Sequence, residues 1–207
     1  MTERNYAEVK DQITKYIDEL NDVVIDVEFV ASEDRAEEFG GMYIISAHRN
    51  EQVYTIHLPE EDIYGGLRYP YDFIKQLSEN IDEESATNFL GKQGIDKPDQ
   101  DVSDAAAEEL LNTLSEESMD ELAYKLSSQI ESPHAAKRIR WQNDTVVGFD
   151  VYNKIFPYDD EFSIENLERA VQVVVSKGRS GADYLRYSFN YDRVRQESNQ
   201  DTIHGLE

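Results

Sequence analysis

The chain has no cysteine among its 207 residues. That excludes disulfides, thiolate nucleophiles and thiolate metal sites. No apolar run approaches the roughly 18 residues of a membrane helix, and the N-terminus lacks the pattern of a signal peptide. Base is scarce as well. Only 20 Lys and Arg stand against 44 Asp and Glu, a formal net charge of -24. The excess runs the whole length: residues 1–103 carry 24 acids and 9 bases, and residues 104–207 carry 20 and 11. Neither half is basic, so nucleic-acid backbone and anionic membrane are repelled by the global field. The expected setting is a cytoplasm, or a virion assembled in one.

Apolar residues make up 39% of the chain, with 13 Tyr and 8 Phe, enough for a folded core despite the charge. Self-repulsion at this charge destabilises a compact state in dilute buffer, and concentrated salt shortens the Debye length to a few Å and removes most of it. The composition resembles proteins of halophilic archaea and their viruses. An ordinary acidic protein of a low-salt cytoplasm is the alternative.

Periodicity organises the chain into an α/β (α+β) fold, with a mainly antiparallel sheet, helices packed on it and a two-helix segment at 104–131. Tyr6, Val9, Ile13, Tyr16, Ile17 and Leu20 form a helical stripe behind a candidate N-cap, Thr2. Val23, Ile25, Val27 and Phe29 alternate with Val24, Asp26, Glu28 and Val30 as in a half-buried strand. A charged loop, Ser32 to Gly41, follows. Met42 to His48 and Val53 to Leu58 read as a hairpin around Asn50-Glu51. Tyr43, Ile45 and Ala47 then share a face with Tyr54, Ile56 and Leu58. A helix is expected near Asp72 to Ile81.

Residues 91–103, with two Gly, one Pro and little apolar content, read as a linker. The expected organisation is therefore an α/β unit at 1–90 (helix, three strands, helix), a linker at 91–103, a helical pair and second α/β unit at 104–195, and a polar tail at 196–207; packing of the two units as one domain is the alternative. In the second part, Ala105 to Leu114 is expected to be helical, and Ser118 with Glu121 reads as a capping box opening another helix. Ile139 to Gln142 and Val146 to Phe156 read as strands. Ser163 caps a helix with the stripe Ile164, Leu167, Val171 and Val174, expected to end at Gly178. Tyr184 to Tyr191 alternates like a final strand. This element order is similar to that of secretion-chaperone folds, acidic α/β adaptors that bind other proteins; the likeness is one of element order over much of the chain, with no motif.

No catalytic constellation is found. The four His are scattered, at His48, His57, His134 and His204, with no converging third ligand for a metal. The acidic clusters Glu60-Glu61-Asp62, Glu116-Glu117 and Asp159-Asp160-Glu161 read as solvated surface or helix N-terminal charge. No phosphate-loop motif is present. Basic residues gather at Lys137-Arg138-x-Arg140 and at Arg179, Arg186, Arg193 and Arg195, and are read as paired with the abundant acid. No catalytic residue, metal site or cofactor is assigned.

The most unusual segment is Tyr64-Gly65-Gly66-Leu67-Arg68-Tyr69-Pro70-Tyr71. It is rich in the residue types that dominate protein interfaces. Tyr64, Leu67, Arg68, Tyr69 and Tyr71, read as a loop, are therefore the candidate partner-binding residues, with a core role as the alternative. These observations point to a non-enzymatic protein-interaction role: an adaptor, a chaperone-like factor or an assembly component, or a virion component of a halophilic virus. The expected partner is a protein or a second copy, not nucleic acid or membrane. A DNA-mimic inhibitor of a DNA-binding enzyme is the alternative from another class, and a carboxylate-dependent metal enzyme comes last.

Overall fold

The computed structural model describes residues 6–30, 41–60, 64–95 and 98–188. They form an α+β fold with six helices and a six-stranded antiparallel sheet. The strands, numbered along the chain, are β1 (Val23–Val30), β2 (Met42–Arg49), β3 (Gln52–Pro59), β4 (Gly65–Asp72), β5 (Ala136–Gln142) and β6 (Thr145–Ile155), in the order β1-β2-β3-β4-β6-β5. The chain forms two compact units, each drawn from three segments. Unit 1 takes 1–70, 130–138 and 150–180; unit 2 takes 71–129, 139–149 and 181–207.

In unit 1, α1 (Tyr6–Glu19) buries Val9, Ile13 and Ile17, the stripe expected from the sequence, against β1 and β2. Thr2 lies outside the described residues. The Tyr6 hydroxyl accepts from the Tyr43 N–H at 2.6 Å and donates to the Leu58 carbonyl at 2.7 Å. One phenol thus ties α1 to both strands of the hairpin. The hairpin has the expected register, with Tyr43 opposite Leu58, Ile45 opposite Ile56 and Ala47 opposite Tyr54. Asn50 and Glu51 have φ of 48° and 66°, the paired left-handed conformation of the two-residue turn whose twist matches its strands. Asn143 and Asp144, between β5 and β6, repeat it at 48° and 62°.

The turn from α1 into β1 carries a buried carboxylate. Asp22 is 6% exposed. Its oxygens accept from Arg49 Nε at 2.8 and 3.0 Å and from the Tyr54 hydroxyl at 2.8 Å. A charge out of water is tolerated only when paired and hydrogen-bonded in this way.

Unit 2 is mainly helical. It contains α2 (Phe73–Ser78), α3 (Glu83–Lys92), α4 (Val102–Asn112) and α5 (Glu116–Gln129). Asp72, Asp82 and Asp101 cap the first three, each accepting from backbone N–H groups of the first turn. Part of the acidic excess is therefore helix-capping chemistry. The pair expected at 104–131 is α4 and α5. The cap of α5 lies one turn before the expected Ser118, where Ser115 Oγ accepts the Ser118 N–H.

Three expectations are corrected. The segment 91–103 lies inside unit 2, where it completes α3 and supplies the cap and first two residues of α4; an Asp cap reads in composition like a linker. The tail at 196–207 lies outside the described residues. Secondly, Gly178 does not end its helix and Tyr184 begins no strand, because α6 runs unbroken over Ile164–Ser188. Its buried stripe continues past the glycine through Ala182 and Leu185, and Tyr187, a member of the apparent alternation, is almost wholly exposed; residues 189–191 lie outside the described residues. Thirdly, β1 is not half-buried. The register slips between Val24 and Asp26, a bulge at Ile25 that breaks the two-residue period. Val23 then opposes His48, whereas Val27 and Phe29 oppose Ile45 and Tyr43, so the four apolar residues do not share one face.

Burial raises the pKa of both Tyr6 and Tyr54 above the ordinary 10.0, and for Tyr54 the Asp22 carboxylate adds to it. The unfolded chain loses these phenolic protons near pH 10 while the folded chain keeps them. Their contribution is complete below that pH and is lost as pH rises above it. Denaturant titrations at neutral pH and at about pH 11 are expected to show this loss. Tyr54→Phe should cost about 2 kcal/mol at neutral pH and make the alkaline fall shallower.

Candidate functional site

The aromatic segment proposed to meet a partner is a strand, β4, paired with β3 through Ile56 opposite Leu67 and Thr55 opposite Arg68. Leu67 is fully buried, and Tyr69 and Tyr71 are 4% and 5% exposed. The expected loop is thus corrected to a strand, and three of the five candidate residues are buried in it. The alternation of Leu67, Tyr69 and Tyr71 is the inward face of a strand, and the two glycines start it instead of forming a loop. Tyr69 donates to Gln52 Oε1 at 2.6 Å. Its ring lies where a Cβ on Gly178 would stand 2.3 Å away, so only glycine lets α6 approach this ring. Tyr71 stacks on Phe149 at 5.0 Å. On the other face, the Arg68 guanidinium bonds the nearly buried Asp150 carboxylate at 2.8 and 3.0 Å. Tyr64 lies under the Lys154 ammonium, 4.2 Å from the ring centre. These side chains are used within the molecule.

The remaining polar candidates stay dispersed. His57 meets the Thr55 hydroxyl at 3.0 Å, and His48 stands opposite Val53 further along the hairpin. His134 sits in a turn, where its N–H meets Ser132 Oγ; His204 lies outside the described residues. Asp159 accepts the Glu161 N–H, and Glu116 and Glu117 occupy the first turn of α5. Among the described residues, no group of three His, Asp or Glu could hold a metal ion, and no helix is long and apolar enough to cross a membrane.

Each unit carries an open depression. One, of about 610 Å³ in unit 1, is lined by Lys154, Arg169, Asp159 and Glu161 together with Phe156 and Phe162. Its charges are of both signs, and Asp159 already serves its own turn. The other, about 490 Å³ in unit 2, sets Lys75 and Arg140 among Asp72, Asp104 and Glu108. There Asp72 caps α2 and Arg140 donates to the Tyr71 carbonyl. Neither offers an arrangement of nucleophile, base and orienting group.

What the fold leaves open is β1. It ends the sheet order, so among the described residues one side of its backbone has no neighbouring strand. Val23, Ile25 and Phe29 are each more than half exposed (53%, 54% and 51%), and Val27 is 39% exposed. Apolar exposure on an edge strand is what folded proteins usually avoid, because such an edge accepts another strand. Phe29 is held in place. Its ring meets Tyr43 at 5.1 Å and fills the space where a Cβ on Gly41 would stand 2.2 Å from it. The order Gly-Gly followed by a strand was visible in the sequence; that Gly41 makes room for an exposed aromatic was not.

No protein-family model and no curated protein matches this sequence. The fold is similar to the crystal structure of an uncharacterized protein from Methanothermobacter thermautotrophicus. The TM-score is 0.55 at 13% identity, over 88% of this chain and 99% of that chain. A likeness this remote concerns the fold alone.

Tyr69→Ala is expected to cost about 3–5 kcal/mol of folding stability, as for other large buried rings. Gly178→Val should cost about 1–3 kcal/mol by overpacking the same contact. Urea unfolding midpoints check both. A Tyr69→Ala protein as stable as the wild type would return this segment to the surface.

Proposed function

We propose that the protein is a non-enzymatic interaction protein, an adaptor, chaperone-like factor or assembly component working in a salty cytoplasm, and that it engages its partner through β1. The observation that carries this reading is the exposed apolar edge of that strand. Main-chain groups along the edge supply affinity for an added strand, and the flanking side chains supply selectivity. Val23, Ile25, Val27 and Phe29 provide the apolar area, and Phe29 is already oriented by Tyr43 and Gly41, which lowers the ordering cost of binding.

Charge supports the salty setting. Long-range repulsion from a net charge of -24 opposes approach of any acidic partner in dilute buffer, and molar salt removes it while leaving apolar contact intact. A virion component of a halophilic virus is the structural form of this reading.

Pull-downs in molar KCl with wild-type and Ile25→Lys baits, followed by calorimetric titration of each purified partner, test the role of β1. The expected result is a partner whose affinity falls about tenfold or more in the variant. A partner that binds both forms equally would move the interface away from β1. Thermal melts test the setting: the melting temperature should climb steeply from dilute buffer to molar KCl, and a flat or falling profile would remove the high-salt reading.

A further inference from the structure

The sheet has two edges, and they carry opposite charge. β1, Val23–Val30, has two acids, Asp26 and Glu28, and no base. β5, Ala136–Gln142, has three bases, Lys137, Arg138 and Arg140, and no acid. In a chain with 20 bases among 207 residues, three within one seven-residue strand is a strong local concentration. The strand order leaves β1 at one end and β5 at the other. Both also expose apolar surface. Trp141 on β5 is 46% exposed, and the β1 side chains are described above. We infer that β1 of one molecule pairs with β5 of a second copy, so that the protein assembles head to tail by joining its sheets. This rests on the reading of β1 as an interaction edge and names the occupant.

Charge decides which edges can meet. Pairing β1 with β1 sets Asp26 and Glu28 against the same acids, and pairing β5 with β5 sets Lys137, Arg138 and Arg140 against the same bases. Like charges directly across a strand pair are destabilising, and opposite charges stabilise. The same side chains that protect each edge from its own kind therefore select the unlike edge. Asp26, Glu28 and Arg138 are exposed, as this requires. Lys137 already stands 3.9 Å from the Glu131 carboxylate and Arg140 bonds the Tyr71 carbonyl, so these two add field at the edge more than direct contact, and Arg138 is the exposed base of the strand. A contact between two different surfaces does not close on itself as a two-fold dimer does. Repeated, it gives a chain or a ring of copies.

Salt sorts the two electrostatic effects. The repulsion between whole molecules acts over distances beyond the Debye length of molar salt and disappears there. Ion pairs in direct contact lie near that length and are only partly screened. Assembly is therefore expected to grow as salt rises.

The test uses charge exchange between the edges. One variant is Asp26→Lys with Glu28→Lys, so that both of its edges are positive. The other is Lys137→Glu with Arg138→Glu, which makes both edges acidic or mixed. Light scattering coupled to gel filtration is run in about molar KCl, with circular dichroism melts to establish that each variant is folded. Wild type should exceed the monomer mass by about twofold or more, each variant alone should stay monomeric, and an equimolar mixture of the two should regain assembly. A wild type monomeric from dilute to molar salt overturns the inference, as does a β5 variant that self-associates like wild type or a mixture that stays monomeric. Failure here with a separate partner still lost on Ile25→Lys would leave the interaction reading intact. Loss of neither partner nor mass in that variant would remove both.

Discussion

The carboxylate of Asp22 is the joint on which the first unit depends. It sits in the turn from α1 to β1, next to Asn21 at φ 60°, and is held by Arg49 from the end of β2 and Tyr54 from β3. Helix, edge strand and hairpin meet at this one group. A buried charge is costly unless its partners are placed correctly, so its network admits one arrangement of the turn. The start of β1 is thereby tied to the hairpin, and the bulge at Ile25 follows three residues later. What β1 shows to solvent depends on that anchor and that bulge together.

Acid in this chain does several separate things. Some of it caps helices, as Asp72, Asp82 and Asp101 do. Two nearly buried carboxylates, Asp22 and Asp150, are each held by an arginine, Arg49 and Arg68. Asp26 and Glu28 lie exposed on an edge. Net charge alone distinguishes none of these roles. The basic residues divide in the same way: Arg49 and Arg68 are spent inside unit 1, while on β5 Lys137 meets Glu131 and Arg140 meets the Tyr71 carbonyl, the internal pairing expected of them, and Arg138 is exposed.

Much of the fold was legible because it is local. The α1 stripe, the hairpin register around Asn50-Glu51 and the helical pair after residue 100 follow from period and turn chemistry acting over a few residues. The exposed edge proposed as the interaction site was not legible. Tyr69 and Tyr71 have the composition of an interface, yet they face the core, because Gly65-Gly66 opens a strand and Gly178 gives the Tyr69 ring a place to go. β1 had the alternation of a half-buried strand, yet it is an edge with a bulge. In both cases the deciding neighbour lies far along the chain.

The sequence by itself determined the charge, the absence of thiol chemistry, the class of fold and most element positions, since each depends on composition or on contacts between near neighbours. Only the tertiary structure decided that α6 continues through Gly178, that the tyrosines of β4 are interior, and that β1 and β5 end the sheet. Strand order is a relation among segments more than a hundred residues apart, and an edge is defined by the strand that is missing beside it. No local pattern of residues carries that information.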